Sequence, residues 1–327
     1  MHLATGNVPL LGVTDSWLGP IFEALATWLK PLWLVAVGVV AVLAVLCAIW
    51  ILLRLAAPKV AAIARTTAKE AMAQPVFFVL LALGAFAIIV FPFIPYNTFG
   101  EDIKMLKGSG LTTIRVLAII LVLWTASVSI ASEIEGRTAL TLLSKPVGRR
   151  QLIIGKFLGI IAPAAILFIV LGALFLASVS YKVQYDARES CKPEPSWQQC
   201  RDEMQQVSPG LLLGFFETVA LASISVAIST RLPMIPNLVI CASVYVLGHL
   251  VPILAQSAMG KIEFVRIVAN LLSAVLPVLE NFNIEGSIAT EQPVPAEYLP
   301  WAALYTVLFS TAAMLLALLM FEDRDLA

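Results

Sequence analysis

Apolar residues fall in long runs separated by short polar stretches, and the lengths of those runs are the first predictive feature of the chain. A spanning helix needs about 20 largely apolar residues to cross about 30 Å of hydrocarbon. Seven runs meet that length: 31–53, 76–95, 112–131, 153–179, 209–229, 237–256 and 300–321. An eighth, 264–279, is shorter and holds Arg266, Asn270 and Pro277. Its polarity and its proline predict a re-entrant or interfacial piece. Trp17, Trp28 and Trp33 lie ahead of and at the edge of the first run, where indole rings favour the membrane interface. No basic n-region precedes that run and it is too long for an h-region, so no signal peptide is expected. The longest polar stretch, 180–208, reads as a loop. The pattern predicts an all-α polytopic membrane protein with seven transmembrane helices.

Composition agrees. The 327 residues could suggest two soluble domains, but 60% are hydrophobic and 13% charged, against about 45–50% apolar and 25% charged in soluble domains. Mean hydropathy is +0.93. The 21 Lys and Arg balance 21 Asp and Glu, so the total gives no sign of a nucleic-acid partner. Four cysteines are too few for a disulfide-rich mini-protein.

The balance hides an asymmetry. One set of connections, 54–75, 132–152, 230–236 and 322–327, together with Lys156 just inside the next run, carries eleven basic and six acidic residues. The rest carries ten basic and fifteen acidic in about twice the length. Basic density predicts that the first set is cytoplasmic, with the N-terminus outside, the C-terminus inside and 180–208 an outer loop.

Within that cytoplasmic set, 57–74 has Pro58 where a first helical turn accepts proline. At 100° per residue Val60, Ile63, Ala64, Ala68 and Ala71 share a face, opposite Lys59, Arg65 and Lys69. The segment reads as an amphipathic interfacial helix with its basic side towards anionic headgroups, in preference to a plain polar connector.

The stretch 131–159, ASEIEGRTALTLLSKPVGRRQLIIGKFLG, predicts a short helix over 133–144 stopped by Pro146, then a basic turn and the next span. Glu133 and Glu135 at its start suit the helix dipole, and Arg149 and Arg150 lie where a cytoplasmic anchor would. Leu140, Leu142 and Leu143 form no single stripe, so such a helix wants cover on more than one side. The order of Glu133 or Glu135, Thr138, Leu142, Leu143, Lys145, Pro146, Val147, Arg149, Arg150, Gly155 and Lys156 resembles the signature of ABC-2-type transporter permeases, the membrane subunits of ATP-driven exporters. It resembles in particular the branch of small free-standing permeases that includes the membrane subunit of the nitrous-oxide-reductase maturation system. Arg137 stands where the family usually has glycine, and Ile154 where it has leucine.

The resemblance implies a six-span permease core over 55–327, preceded by an extra transmembrane segment at 1–54. It makes 57–74 an elbow helix, 132–152 the coupling segment and 262–283 a re-entrant segment before the last span. The strings ISTRLPMIPN (228–237) and FEDRDL (321–326) resemble the family's loop between its fourth and fifth spans and its cytoplasmic ending. It further implies that 132–146 docks on a separate ABC ATPase, which binds ATP and Mg, and that a second permease copy or paralogue completes a dimer in the inner membrane. The chain itself would bind no cofactor and do no chemistry.

Other chemistry is sparse. GRRQLIIGK contains a Gly-Lys pair, but its glycines are separated by six residues rather than four and no Ser or Thr follows Lys156, so it does not form a P-loop. Cys191 and Cys200 lie in the expected outer loop, and a disulfide is the favoured reading there, ahead of two free thiols and of a metal site. Cys47 and Cys241 read as apolar packing residues. Glu217 falls within a span, where an ionised carboxylate costs about 2.5–3.5 kcal/mol. It is either a polar point on the translocation path or dimer interface, or a protonated structural residue. His249 reads as a hydrogen-bonded core residue, with the translocation path, the dimer interface, a metal or a proton relay as its alternatives. No HExxH, GxSxG or paired His/Asp/Glu cluster occurs.

Overall fold

The computed structural model describes residues 27–96, 101–135, 148–191, 193–256, 267, 271–272 and 276–322. Among them are nine α-helices: α1 Leu32–Ala56, α2 Pro58–Ala73, α3 Pro75–Val90, α4 Asp102–Glu135, α5 Arg149–Glu189, α6 Trp197–Ser229, α7 Met234–Gln256, α8 Glu285–Thr290 and α9 Tyr298–Glu322. Seven are long and apolar enough to cross a membrane, and each overlaps an expected run. The chain is an all-α polytopic membrane protein.

Three long helices, α4, α5 and α6, form the centre. Their contacts are mainly apolar: Leu106, Ile114, Leu121, Leu167, Leu171 and Leu213 are fully buried. α2 and α3 pack on α5, α7 packs on α4 and α6, and α9 packs on α6 and α5. α1 rests on α2 and α5 and has no buried residue.

The elbow α2 is amphipathic as expected. Val60, Ala61, Ala64, Thr67, Ala68 and Ala71 are buried, while Lys59, Arg65 and Lys69 are exposed. Its apolar face lies against the first turns of α5. A Cβ added at Gly155 would come within 2.8 Å of Ile63 Cβ, and one at Gly159 within 2.6 Å of Thr67 Cβ and 2.8 Å of the Ala64 carbonyl. Glycines four residues apart thus let two helix backbones touch, as small residues do in membrane helix pairs. At the sharp corner after α2, Gln74 is extended and Pro75 opens α3; the Trp124 indole donates to the Gln74 side-chain oxygen at 3.2 Å.

The expected loop 180–208 is mostly helix. α5 continues to Glu189, and α6 begins at Trp197, where Ser196 caps it by accepting from the Gln199 N–H. α4 also starts earlier than its apolar run. These polar extensions hold together through buried lysines. Lys182, 1% exposed, pairs with Asp186 at 2.9 Å and Asp102 at 3.8 Å and donates to the Pro92 carbonyl at 3.1 Å. Lys107 bonds Glu203 and Gln206. We call this the far end, and the one carrying α2 the elbow end. Half of the expected re-entrant segment, 262–283, lies outside the described residues; its last part is a 3-10 turn, Leu279–Phe282, leading to α8.

Candidate functional site

Two polar constellations stand out, one at the elbow end and one inside the bundle. At the elbow end α4 runs unbroken to Glu135 and α5 starts at Arg149. Glu133 and Glu135 therefore do not open a new helix, as their acidic character suggested, but extend the spanning helix beyond its apolar run. Arg137, Thr138, Leu142, Leu143, Lys145 and Pro146 lie outside the described residues. Arg149 and Arg150 are exposed in the first turn of α5, with the Arg149 guanidinium 6.0 Å from the Phe321 ring centroid. Lys156 is buried, and its ammonium donates to the Ser129 hydroxyl at 2.9 Å and the Ser129 carbonyl at 3.1 Å. It ties the base of α5 to the end of α4, while Gly155, one residue before it, receives the elbow.

Asn237 joins three helices at the same end. Its amide nitrogen, with two hydrogens to donate, lies within hydrogen-bond distance of three hydroxyls, Ser127 of α4 at 2.7 Å and Ser225 and Ser229 of α6 at 2.9 Å each. Its oxygen accepts from Cys241 at 3.3 Å. Asn237 is fully buried. This network fixes the α6–α7 turn, the ISTRLPMIPN string, beside the end of α4.

Inside the bundle the structure brings Glu217 of α6 and His249 of α7 together. His249 Nε2 stands 3.5 Å from Glu217 Oε1, and His249 Nδ1 lies 3.1 Å from the Tyr245 carbonyl. The other Glu217 oxygen meets Arg115 Nη1 of α4 at 3.3 Å. Glu217 is 0% exposed, so its charge is compensated within the protein, as a carboxylate inside a bilayer requires. Arg115 was not singled out by the sequence reading, although an arginine four residues into a predicted span is itself a signal of an inward-facing function. Arg115 also lines a small cleft between α4 and α6, roofed by Phe282, Asn283, Ile284 and Glu285. The cleft admits a water.

Cys191 and Cys200, where a disulfide is the favoured expectation, are both free thiols in this structure. Cys191 is exposed just past the end of α5 with a φ of 52°, whereas Cys200 is buried in α6 beside Ser180. Among the described residues no three His, Cys, Asp or Glu side chains group as metal ligands would.

These features agree with what the chain is similar to. The family model described as ABC-2 family transporter protein matches residues 97–326, from just before α4 to the end of α9; α1, α2 and α3 precede it. No curated protein matches the chain. With the match covering most of its length and seven helices able to span a membrane, the chain belongs to the ABC-2 family of transporter proteins and is a multi-pass permease.

Proposed function

We propose that the chain is the membrane subunit of an exporter driven by a separate ABC ATPase, which docks on 132–146 and binds the ATP and Mg. The observation that carries this reading is the Glu133–Lys156 pattern lying between α4 and α5, at the end that also bears the elbow. The exposed Arg54, Lys59, Arg65, Lys69, Arg149, Arg150 and Arg231 support a cytoplasmic position for that end, with the N-terminus outside, in an inner membrane. A second permease copy or paralogue completes the transporter, and the spacing of the motif favours the branch of small free-standing permeases. Closure of the ATPases would move the segment and switch the pair between inward- and outward-facing states.

Co-purification with ATPases encoded beside the gene tests this, with ATP turnover measured for substitutions at Glu135, Thr138 and Leu143. The expected result is a bound ATPase whose coupled turnover falls about tenfold or more. If no ATPase binds, or turnover is untouched, the reading fails.

A second reading keeps the fold without transport: a membrane anchor or scaffold of an assembly complex. The lack of any buried residue in α1 favours it. Cross-linking from residues 1–30 to a stable third partner, with no ATPase present, would select it.

A further inference from the structure

We infer that Glu217 and His249 form a binding site for a single proton inside the bundle, beside the Arg115 cleft. The inference goes beyond the transporter reading and does not depend on an ATPase partner. It starts from hydrogen positions. His249 Nδ1 is 3.1 Å from the Tyr245 carbonyl oxygen, which can only accept, so in a neutral ring Nδ1 carries the hydrogen and Nε2 presents a lone pair. Nε2 lies 3.5 Å from Glu217 Oε1. Both atoms are buried and neither has a hydrogen-bond partner. Two acceptors are therefore held 3.5 Å apart where, among the described residues, no donor reaches either, an arrangement that costs free energy inside a protein.

One proton removes the conflict. Taken from water, it sits on Nε2 as an imidazolium donating to the carboxylate, or on Oε1 as a carboxylic acid donating to the imidazole. Either placement makes one hydrogen bond and adds one positive charge to the cluster. The groups acting on the pair are Arg115 from α4, Tyr245 from α7, Glu280 from the 3-10 turn and Glu285 from α8. Glu280 and Glu285 favour the added charge, and the Arg115 guanidinium opposes it. Arg115 Nη1, 3.3 Å from the second Glu217 oxygen, opposes a metal ion at the same point, since a multivalent cation would sit against the guanidinium. The cleft lined by Arg115 and Glu285 admits a water on the Arg115 side of the pair.

Because α4, α6 and α7 each contribute one member, gaining the proton draws α7 towards α6, and losing it weakens that contact. The occupied and empty states therefore differ in how three spanning helices are held, and this links the arrangement of the bundle to pH.

The chain contains only two histidines, His2 and His249. The full-length protein with His2→Gln, labelled with 15N-histidine and placed in lipid nanodiscs, therefore reports on His249 alone. Its ring signals are followed from alkaline to acidic pH. The expected result is an Nδ1–H tautomer at alkaline pH and acquisition of a hydrogen bond or a proton at Nε2 on acidification. Glu217→Gln, nearly isosteric, should move the midpoint to lower pH, requiring at least tenfold more protons, because the balancing charge is gone. An Nε2–H tautomer at every pH would overturn the inference, since a neutral ring would then already donate to the carboxylate. So would a ring signal that never changes, or a midpoint unmoved in Glu217→Gln. If that variant does not fold, the tautomer read in His2→Gln alone decides.

Discussion

The Lys156 ammonium holds both oxygens of Ser129, the hydroxyl at 2.9 Å and the carbonyl at 3.1 Å, and so joins the foot of α5 to the end of α4 across the segment between them. Lys156→Met keeps the stem and removes the charge. Because burying an ammonium is costly, losing its charge offsets part of the loss of its hydrogen bonds, and global stability should change by no more than about 1 kcal/mol. The distance between spin labels at Ser132 and Arg150 should broaden, since the tie is lost. A large drop in melting temperature with an unchanged distance would show that Lys156 only packs.

The elbow contact makes a steric prediction. Gly159→Ala places a Cβ 2.6 Å from Thr67 Cβ and 2.8 Å from a backbone oxygen, which forces α2 from α5 at a cost of about 1–3 kcal/mol. Gly38→Ala in α1, where nothing lies within 4 Å, should be neutral or stabilise by up to about 1 kcal/mol through helix propensity. Unfolding in detergent compares the two, and equal effects would deny the close approach.

At Asn237 the test is a mutant cycle. Asn237→Ala strips donors from Ser225 and Ser229, and buried hydroxyls left without them should cost about 1–2 kcal/mol. Replacing both serines by alanine in the same background should recover part of that loss, because removing both partners is cheaper than orphaning one. A triple variant no more stable than Asn237→Ala would indicate that volume, not hydrogen bonding, sets the cost.

Thiol labelling checks the cysteine assignment. A membrane-impermeant maleimide should modify Cys191, the exposed thiol past α5, and leave buried Cys200 and Cys241 unreacted. Reductant should not change the yield. Labelling of Cys191 that requires prior reduction would restore the disulfide.

The seven spans were legible because run length alone decides whether a helix can cross a bilayer, and the elbow because its two faces differ at helical spacing. The far-end extensions were not. Lys107 and Lys182 read as loop charges until their partners are known, and Glu203 lies 96 positions from Lys107. Glu217 and His249 were each visible as polar residues in apolar runs. Their meeting depends on the register of α6 against α7, which no local pattern encodes, and Arg115 was hidden by its nearness to a run's edge. Glu133 and Glu135 carried the signal of a helix start, but nothing between Val128 and Glu135 breaks α4.

The length of α5 carries a mechanical consequence. Its 41 residues make a rod about 60 Å long, gripped at its foot by Lys156 and the elbow and at its tip by Lys182. Pivoted at the foot, a tilt of about 5° would sweep the tip through about 5 Å. A small push at the elbow end is thus geared up into a displacement on the scale of a side chain at the opposite face.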